Sequence, residues 1–172
     1  MKNEKLRYGV IGTGAIGGYY GARLAQSGQE VHFLLHSDYE YVKANGLQVD
    51  SCDGSFHLDS PLVYDQTEQM PKCDVVLVCL KSINNNMLRD LLPPLLKEDT
   101  LVVLIQNGIG VEQDVEQQFP GIQLAAGLVL RSNPHSSISL FAKSNAHLFS
   151  NDCFSRKSIV FFFVFIKSKI FL

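Results

Sequence analysis

The chain has 172 residues, 46% of them hydrophobic and 19% charged, with a formal net charge of −2. These are values of an ordinary globular domain, and the balance leaves no broad basic face for a nucleic-acid partner. Four cysteines (Cys52, Cys73, Cys79, Cys153) form no CxxC pair and no cluster with histidine, so reduced thiols and no metal site are expected.

Residues 1–7 are polar and charged, unlike a signal peptide, and a cytoplasmic protein is expected. The apolar run at residues 6–11 then leads into Gly12-Thr13-Gly14-Ala15-Ile16-Gly17. A helix is expected over residues 15–27, stopped by Gly28, with a second apolar strand over 31–35. Strand, glycine turn, helix and strand in some thirty residues make a dinucleotide-binding βαβ unit. Each glycine has its own reason. Gly12 allows the tight turn, Gly14 lets backbone approach a pyrophosphate, and Gly17 lets the helix lie close to the sheet. Gly18 and Gly21 continue the pattern along the helix.

After a turn at His36-Ser37-Asp38, a short helix is expected over 39–44, closed by Asn45-Gly46 in a left-handed stop. A hairpin follows over 47–58 with Asp53-Gly54 at its turn, then a short strand over 62–64. Residues 74–80 (DVVLVCL) form the strongest strand, apolar without alternation as a parallel strand covered on both faces should be. A helical stretch over 83–92 runs into Pro93-Pro94, and residues 100–105 are another apolar strand. Gln106-Asn107-Gly108-Ile109-Gly110 turns the chain into a helix over 111–119, and a last strand begins at 122–130. The expected fold is α/β, a Rossmann-like doubly wound parallel sheet. Ligands bind such sheets at the carboxyl ends of the strands, where Gly12 to Gly17, Lys81-Ser82 and Asn107-Gly108 fall.

Composition changes near Leu130. Residues 1–130 carry 9 Lys+Arg against 16 Asp+Glu, a net of −7, and residues 131–172 carry 6 against 1, a net of +5. All 13 glycines lie at or before Gly127, while 8 of 11 phenylalanines follow residue 140. The expected division is a dinucleotide-binding domain at 1–130 and an atypical Phe/Ser-rich tail at 131–172, read as the end of a truncated or out-of-frame gene. The run IVFFFVFI at 159–166 is far short of a bilayer span, so no membrane partner is expected; it is an aggregation hazard.

An NAD site places an acid at the end of its second strand for the ribose 2′-hydroxyl. Here that place holds His36 and Ser37, with no acid before Asp38. Ser37 can donate to a 2′-phosphate and a protonated His36 can add charge, which favours NADP(H). Asp38 either turns inward toward the ribose or serves as a helix N-cap.

GTGAIGGYYGARLAQSG at 12–28, DVVLVCLKS at 74–82 and LIQNGIGVE at 104–112 together resemble the amino-terminal half of the ketopantoate reductases, over residues 6–130. The resemblance implies NADPH-dependent reduction of 2-dehydropantoate, a 2-keto acid, to pantoate in pantothenate biosynthesis. It implies that Gly12, Gly14 and Gly17 hold the pyrophosphate, that Lys81 contacts the cofactor, and that Asn107 serves both cofactor and substrate. With the strand-end reading, the expected cofactor-binding residues are Gly12, Thr13, Gly14, Ala15, Ile16, Gly17, His36, Ser37, Lys81 and Asn107. His36 stands where the family commonly has an arginine. The family's catalytic lysine lies in a second, helical domain that residues 131–172 do not match, so no catalytic residue is expected within this chain. The alternatives are a noncatalytic NADP-binding fragment and another two-domain hydroxy-acid dehydrogenase. Oligomeric state is not readable from the sequence.

Overall fold

The computed structural model describes residues 5–51, 54–108, 110–132, 147–148 and 159–166. The chain runs β1 (Arg7–Ile11), α1 (Ala15–Gln26), β2 (Glu30–Leu34), α2 (Tyr39–Asn45), β3 (Leu47–Val49), β4 (Phe56–Leu58) and β5 (Leu62–Tyr64). It continues through β6 (Val75–Val78), α3 (Leu88–Leu91), β7 (Leu101–Ile105), α4 (Val111–Gln118), β8 (Gln123–Ser132), β9 (His147–Leu148) and β10 (Ile159–Ile166). Six strands form a parallel sheet in the order β5-β2-β1-β6-β7-β8, as the alternation of strands and helices predicts. Strand order reverses between β1 and β6. β10 pairs antiparallel with β8, from Ile159 opposite Ser132 to Ile166 opposite Ala125, and β9 pairs with β10. The Phe-rich run therefore extends the sheet.

The central strands are apolar without alternation because both faces are covered. Ile11, Val76, Val78, Val102 and Leu104 face Leu88, Leu92, Leu95, Val111 and Val115, contributed by α3, α4 and the segment between α3 and β7. Val10, Val31, Phe33, Leu77 and Ile105 form the core of the other face, against Ile16, Leu24 and Ala25 of α1 and Leu47 and Leu58 of the β3–β4 hairpin. Phe33 is 1% exposed, and burying such a ring contributes about 1.5–3 kcal/mol. Gly21 makes that packing possible: a Cβ there would lie 2.9 Å from Val10 Cγ2 and closer still to the Phe33 ring. Glycine inside a helix costs about 0.5–1 kcal/mol, less than the packing it permits.

Three local expectations change. Residues 83–92 are not one α-helix: Ser82–Met87 is 3-10, followed by the single α turn α3 and a second 3-10 turn at Pro93–Leu95. Asn84, Asn85 and Asn86 are weak helix formers, and the prolines lack the N–H that continuation needs. Gly46 has φ 79° but ψ −177°, so it passes straight into β3 instead of closing α2 in the left-handed helical region. The strand expected at 74–80 is shorter, Val75–Val78, flanked by single backbone bonds from Asp74 N to Arg7 O and from Cys79 N to Ile11 O, both 2.8 Å. The hairpin's Asp53 and the Ser-rich stretch at 133–146 lie outside the described residues.

At the amino-terminal edge of the sheet a polar chain ties the first strands together. Arg7 Nε donates to Glu30 Oε1 at 2.6 Å, and His32 Nε2 meets the same oxygen at 3.0 Å. His32 Nδ1 lies 3.0 Å from the Tyr64 hydroxyl. A carboxylate only accepts, so Nε2 carries the proton and Tyr64 donates to Nδ1. The Asp74 carboxylate accepts from Arg7 N at 2.7 Å and pairs with Lys97. Burial holds His32 below the usual histidine range, while hydrogen bonds from Arg7 and then His32 hold Glu30 below the usual carboxylate range. Lys97 first, then the Arg7 amide, does the same for Asp74.

All three shifts act in one direction. Below the ordinary histidine pKa of 6.5 the unfolded chain takes up a proton that buried His32 refuses, so stability falls as pH falls. Glu30 and Asp74 add a second loss in the acid range, beginning below their ordinary values of 4.5 and 3.8. Melting temperature followed by circular dichroism is expected to decline on acidification from pH 7 in these two stages. His32→Gln is expected to flatten the first and keep the second.

Candidate functional site

The carboxyl ends of β1, β2, β6 and β7 meet where the strand order reverses, the place at which an open α/β sheet leaves a crevice. The glycine turn from Gly12 to Gly14 lies there and opens α1. Gly12 has φ 89°, and a Cβ on it would sit 2.7 Å from Leu80 N and 2.9 Å from the Cys79 carbonyl carbon. A Cβ on Gly17 would overlap Gly12 O and press within 3.1 Å of both Cys79 and Val10. These two glycines are required by the protein's own backbone.

Gly14 is different. Its φ is −87°, ordinary for any residue, and a Cβ there would meet nothing within 4 Å. No internal contact accounts for glycine at this exposed position, whereas an external group brought against the backbone would. The first-turn N–H groups of α1 have no carbonyl four residues back, and the positive end of the helix dipole lies with them. Ala15 is exposed and Ile16 half-buried in the core beneath. The Thr13 hydroxyl donates to Leu34 O at 2.8 Å, which pins the turn to the end of β2.

Beyond β2 the chain presents His36, Ser37 and Asp38, all exposed. Asp38 holds the N-cap position of α2 but makes no capping bond with its side chain; its carboxylate accepts from the Ser37 hydroxyl at 3.1 Å. Lys81 is exposed three residues past the end of β6, and Asn107 two past the end of β7. The Ser82 hydroxyl donates to Asn107 O at 3.2 Å. The structure thus brings the glycine turn, Lys81 and Asn107 to one crevice, with His36 and Ser37 at the end of the neighbouring strand.

Sequence reasoning passed over two residues beneath this surface. Gln106 and Asn85, 9% and 7% exposed, join their side-chain amides: Gln106 Nε2 donates to Asn85 Oδ1 at 2.7 Å, and Asn85 Nδ2 to Gln106 Oε1 at 3.2 Å. Gln106 Nε2 also donates to Leu80 O at 2.8 Å. The available signal was a lone amide directly after the five apolar residues of β7. Among the described residues no three His, Cys, Asp or Glu side chains gather to hold a metal ion. Burial pushes the Cys79 thiol up to about 12 and Cys73 up to about 11, so neither is a nucleophile at neutral pH.

This chain is similar to the following family, relatives and solved structures. A family described as ketopantoate reductase PanE/ApbA matches residues 8–136. A 2-dehydropantoate 2-reductase of Nostoc is 49% identical over 126 residues, which cover 73% of this chain and 39% of that protein. The crystal structure of 2-dehydropantoate 2-reductase from Geobacter metallireducens superposes with a TM-score of 0.71 at 38% identity, covering 77% of this chain and 44% of the other. That from Methylococcus capsulatus gives 0.67 at 37%, covering 74% and 42%. The chain spans about two fifths of the length of the curated relatives it matches. No helix among the described residues is long and apolar enough to cross a membrane.

Gly12→Ala adds a strained positive φ to a backbone clash, and Gly17→Ala a clash alone. Each is expected to cost about 1–3 kcal/mol in urea unfolding, with Gly12→Ala the worse. Brief maleimide treatment of the folded chain, mapped by mass spectrometry, is expected to leave Cys73 and Cys79 unlabelled at pH 7.

Proposed function

The chain belongs to the ketopantoate reductase family, and on that premise we propose that residues 1–130 form its NADPH-binding domain, with residues 131–172 a divergent tail. The activity served is the reduction of 2-dehydropantoate to pantoate in pantothenate biosynthesis. The observation that supports the cofactor reading is Gly14, an exposed N-cap glycine that no internal contact requires, at the mouth of a helix on the switch point of the sheet. Gly12, Gly14 and Gly17, with the backbone of Thr13, Ala15 and Ile16, hold the pyrophosphate. Lys81 binds the cofactor from the end of β6, and Asn107 stands where cofactor and substrate meet.

His36 and Ser37 receive the 2′-phosphate. The Ser37 hydroxyl now points to the Asp38 carboxylate, so it must rotate to donate to a phosphate. That makes Asp38 the residue that opposes NADPH. NADPH, when bound, supplies the hydride for a keto group. We assign no proton donor within this chain, and binding without turnover is therefore a second reading of the same site.

Titration calorimetry of the full chain with NADPH and NADH tests this, followed by loss of 340 nm absorbance with 2-dehydropantoate. NADPH is expected to bind more tightly than NADH. Gly14→Ala is expected to leave stability within about 1 kcal/mol, the cost of losing glycine from an N-cap, yet to weaken NADPH about tenfold or more by crowding the phosphates. Unchanged NADPH affinity in Gly14→Ala would sink the reading. Asp38→Asn is expected to tighten NADPH and leave NADH nearly unchanged.

A further inference from the structure

We propose that the buried pair Gln106–Asn85 is the positioning element that sets the spacing between the glycine turn, Lys81 and Asn107, so that one extended dinucleotide engages all three. This rests on the cofactor reading above and adds the residues that hold the site in register. The last ladder pair between β6 and β7 is Val78 opposite Leu104. Past that point the two chains run on to Lys81 and Asn107 without ladder bonds between them, and side chains take over.

Gln106 immediately precedes Asn107, and its amide donates to the carbonyl of Leu80, which immediately precedes Lys81. The other half of the same Leu80 residue lies against Gly12, whose missing Cβ would be 2.7 Å from Leu80 N. Leu80 is therefore held between the glycine turn on one side and Gln106 on the other. Asn85 fixes the Gln106 amide through two bonds, so that its Nε2 hydrogens aim at Leu80 O and Asn85 Oδ1 and not elsewhere. Ser82 Oγ to Asn107 O adds a second cross-tie at the surface. A buried amide left without its partner is costly, so each member holds the other in place.

Gln106 and Asn85 are nearly buried, 9% and 7% exposed, so both act through Leu80, Lys81 and Asn107. A pair that only stabilised the fold would, when broken, lower the melting temperature and leave ligand affinity alone at temperatures where the chain stays folded. A positioning pair has a different signature. A ligand that reaches from the glycine turn across to Lys81 and Asn107 should suffer, and one that occupies only the adenosine end should not.

The test titrates the full chain and its Gln106→Leu and Asn85→Asp variants at low temperature with NADPH and with adenosine 2′,5′-bisphosphate. Both variants are expected to lose about tenfold or more in NADPH affinity while the bisphosphate changes by less than about twofold. Their double variant should lose no more than the worse single. Where Gln106→Leu fails to fold, Asn85→Asp carries the comparison, since it keeps the shape and the Oδ1 acceptor. Hydrogen exchange supplies the second readout: amides of residues 81–84 should open faster in Asn85→Asp, and NADPH should protect them less. Equal loss for both ligands, or no loss for either, overturns the positioning role and leaves the cofactor reading standing. A wild-type chain that binds the bisphosphate but not NADPH, or neither ligand, overturns the cofactor reading itself and this inference with it.

Discussion

The whole arrangement depends on how closely α1 lies against β1 and β2, with its first turn against the chain just past β6. A Cβ at Gly12, Gly17 or Gly21 would strike backbone or a core side chain. Because the helix sits that low, its first turn emerges at the level of the strand ends. The loops after β6 and β7 can then close around it. A helix raised by one methyl per contact would lift its N-terminus away from Leu80 and disengage the Thr13 to Leu34 bond that ties the turn to β2.

The two edges of the sheet have been given opposite chemistry. From the amino-terminal ends of β1 and β2 a chain of ion pairs and hydrogen bonds runs through Arg7, Glu30 and His32 to Asp74 and Lys97, and up to the Tyr64 hydroxyl, whose residue ends β5. A shallow cleft lined in part by Lys5, Gln29, Glu30 and Asp59 also lies at that end, away from the glycine turn. The carboxyl-terminal edge leaves Gly14, His36, Ser37, Lys81 and Asn107 exposed. Most of the polar cross-links lie toward one end of the strands, and the polar groups that face the crevice lie at the other. Parallel strands make this division natural, since all their carboxyl ends point the same way.

Much of this was legible in the sequence because it rests on local rules. Apolar runs without alternation at 74–80 and 100–105 read as strands covered on both faces, and glycines at 12, 14 and 17 between an apolar run and a helical stretch read as a turn that opens a helix. The segment after Lys81 was less legible. Its apolar spacing suits a helix, but three asparagines favour other backbone shapes, and the one that matters, Asn85, is committed to a residue 21 positions away. The Phe-rich run illustrates the same limit: its composition sets it apart from residues 1–130, yet its backbone pairs with β8.

By itself the sequence determined the order of strands and helices, the place of the glycine turn, and the strand ends on which Lys81 and Asn107 fall. Those follow from side-chain periodicity and from backbone freedom at glycine, both properties of neighbours along the chain. Only the tertiary structure decided which glycines the protein needs for its own packing and which, Gly14, it does not. Only it joined Gln106 to Asn85 and His32 to Tyr64. Such pairings are set by where strands lie across the sheet, and the cost of burying a polar group is met by a partner whose distance in sequence nothing local prescribes.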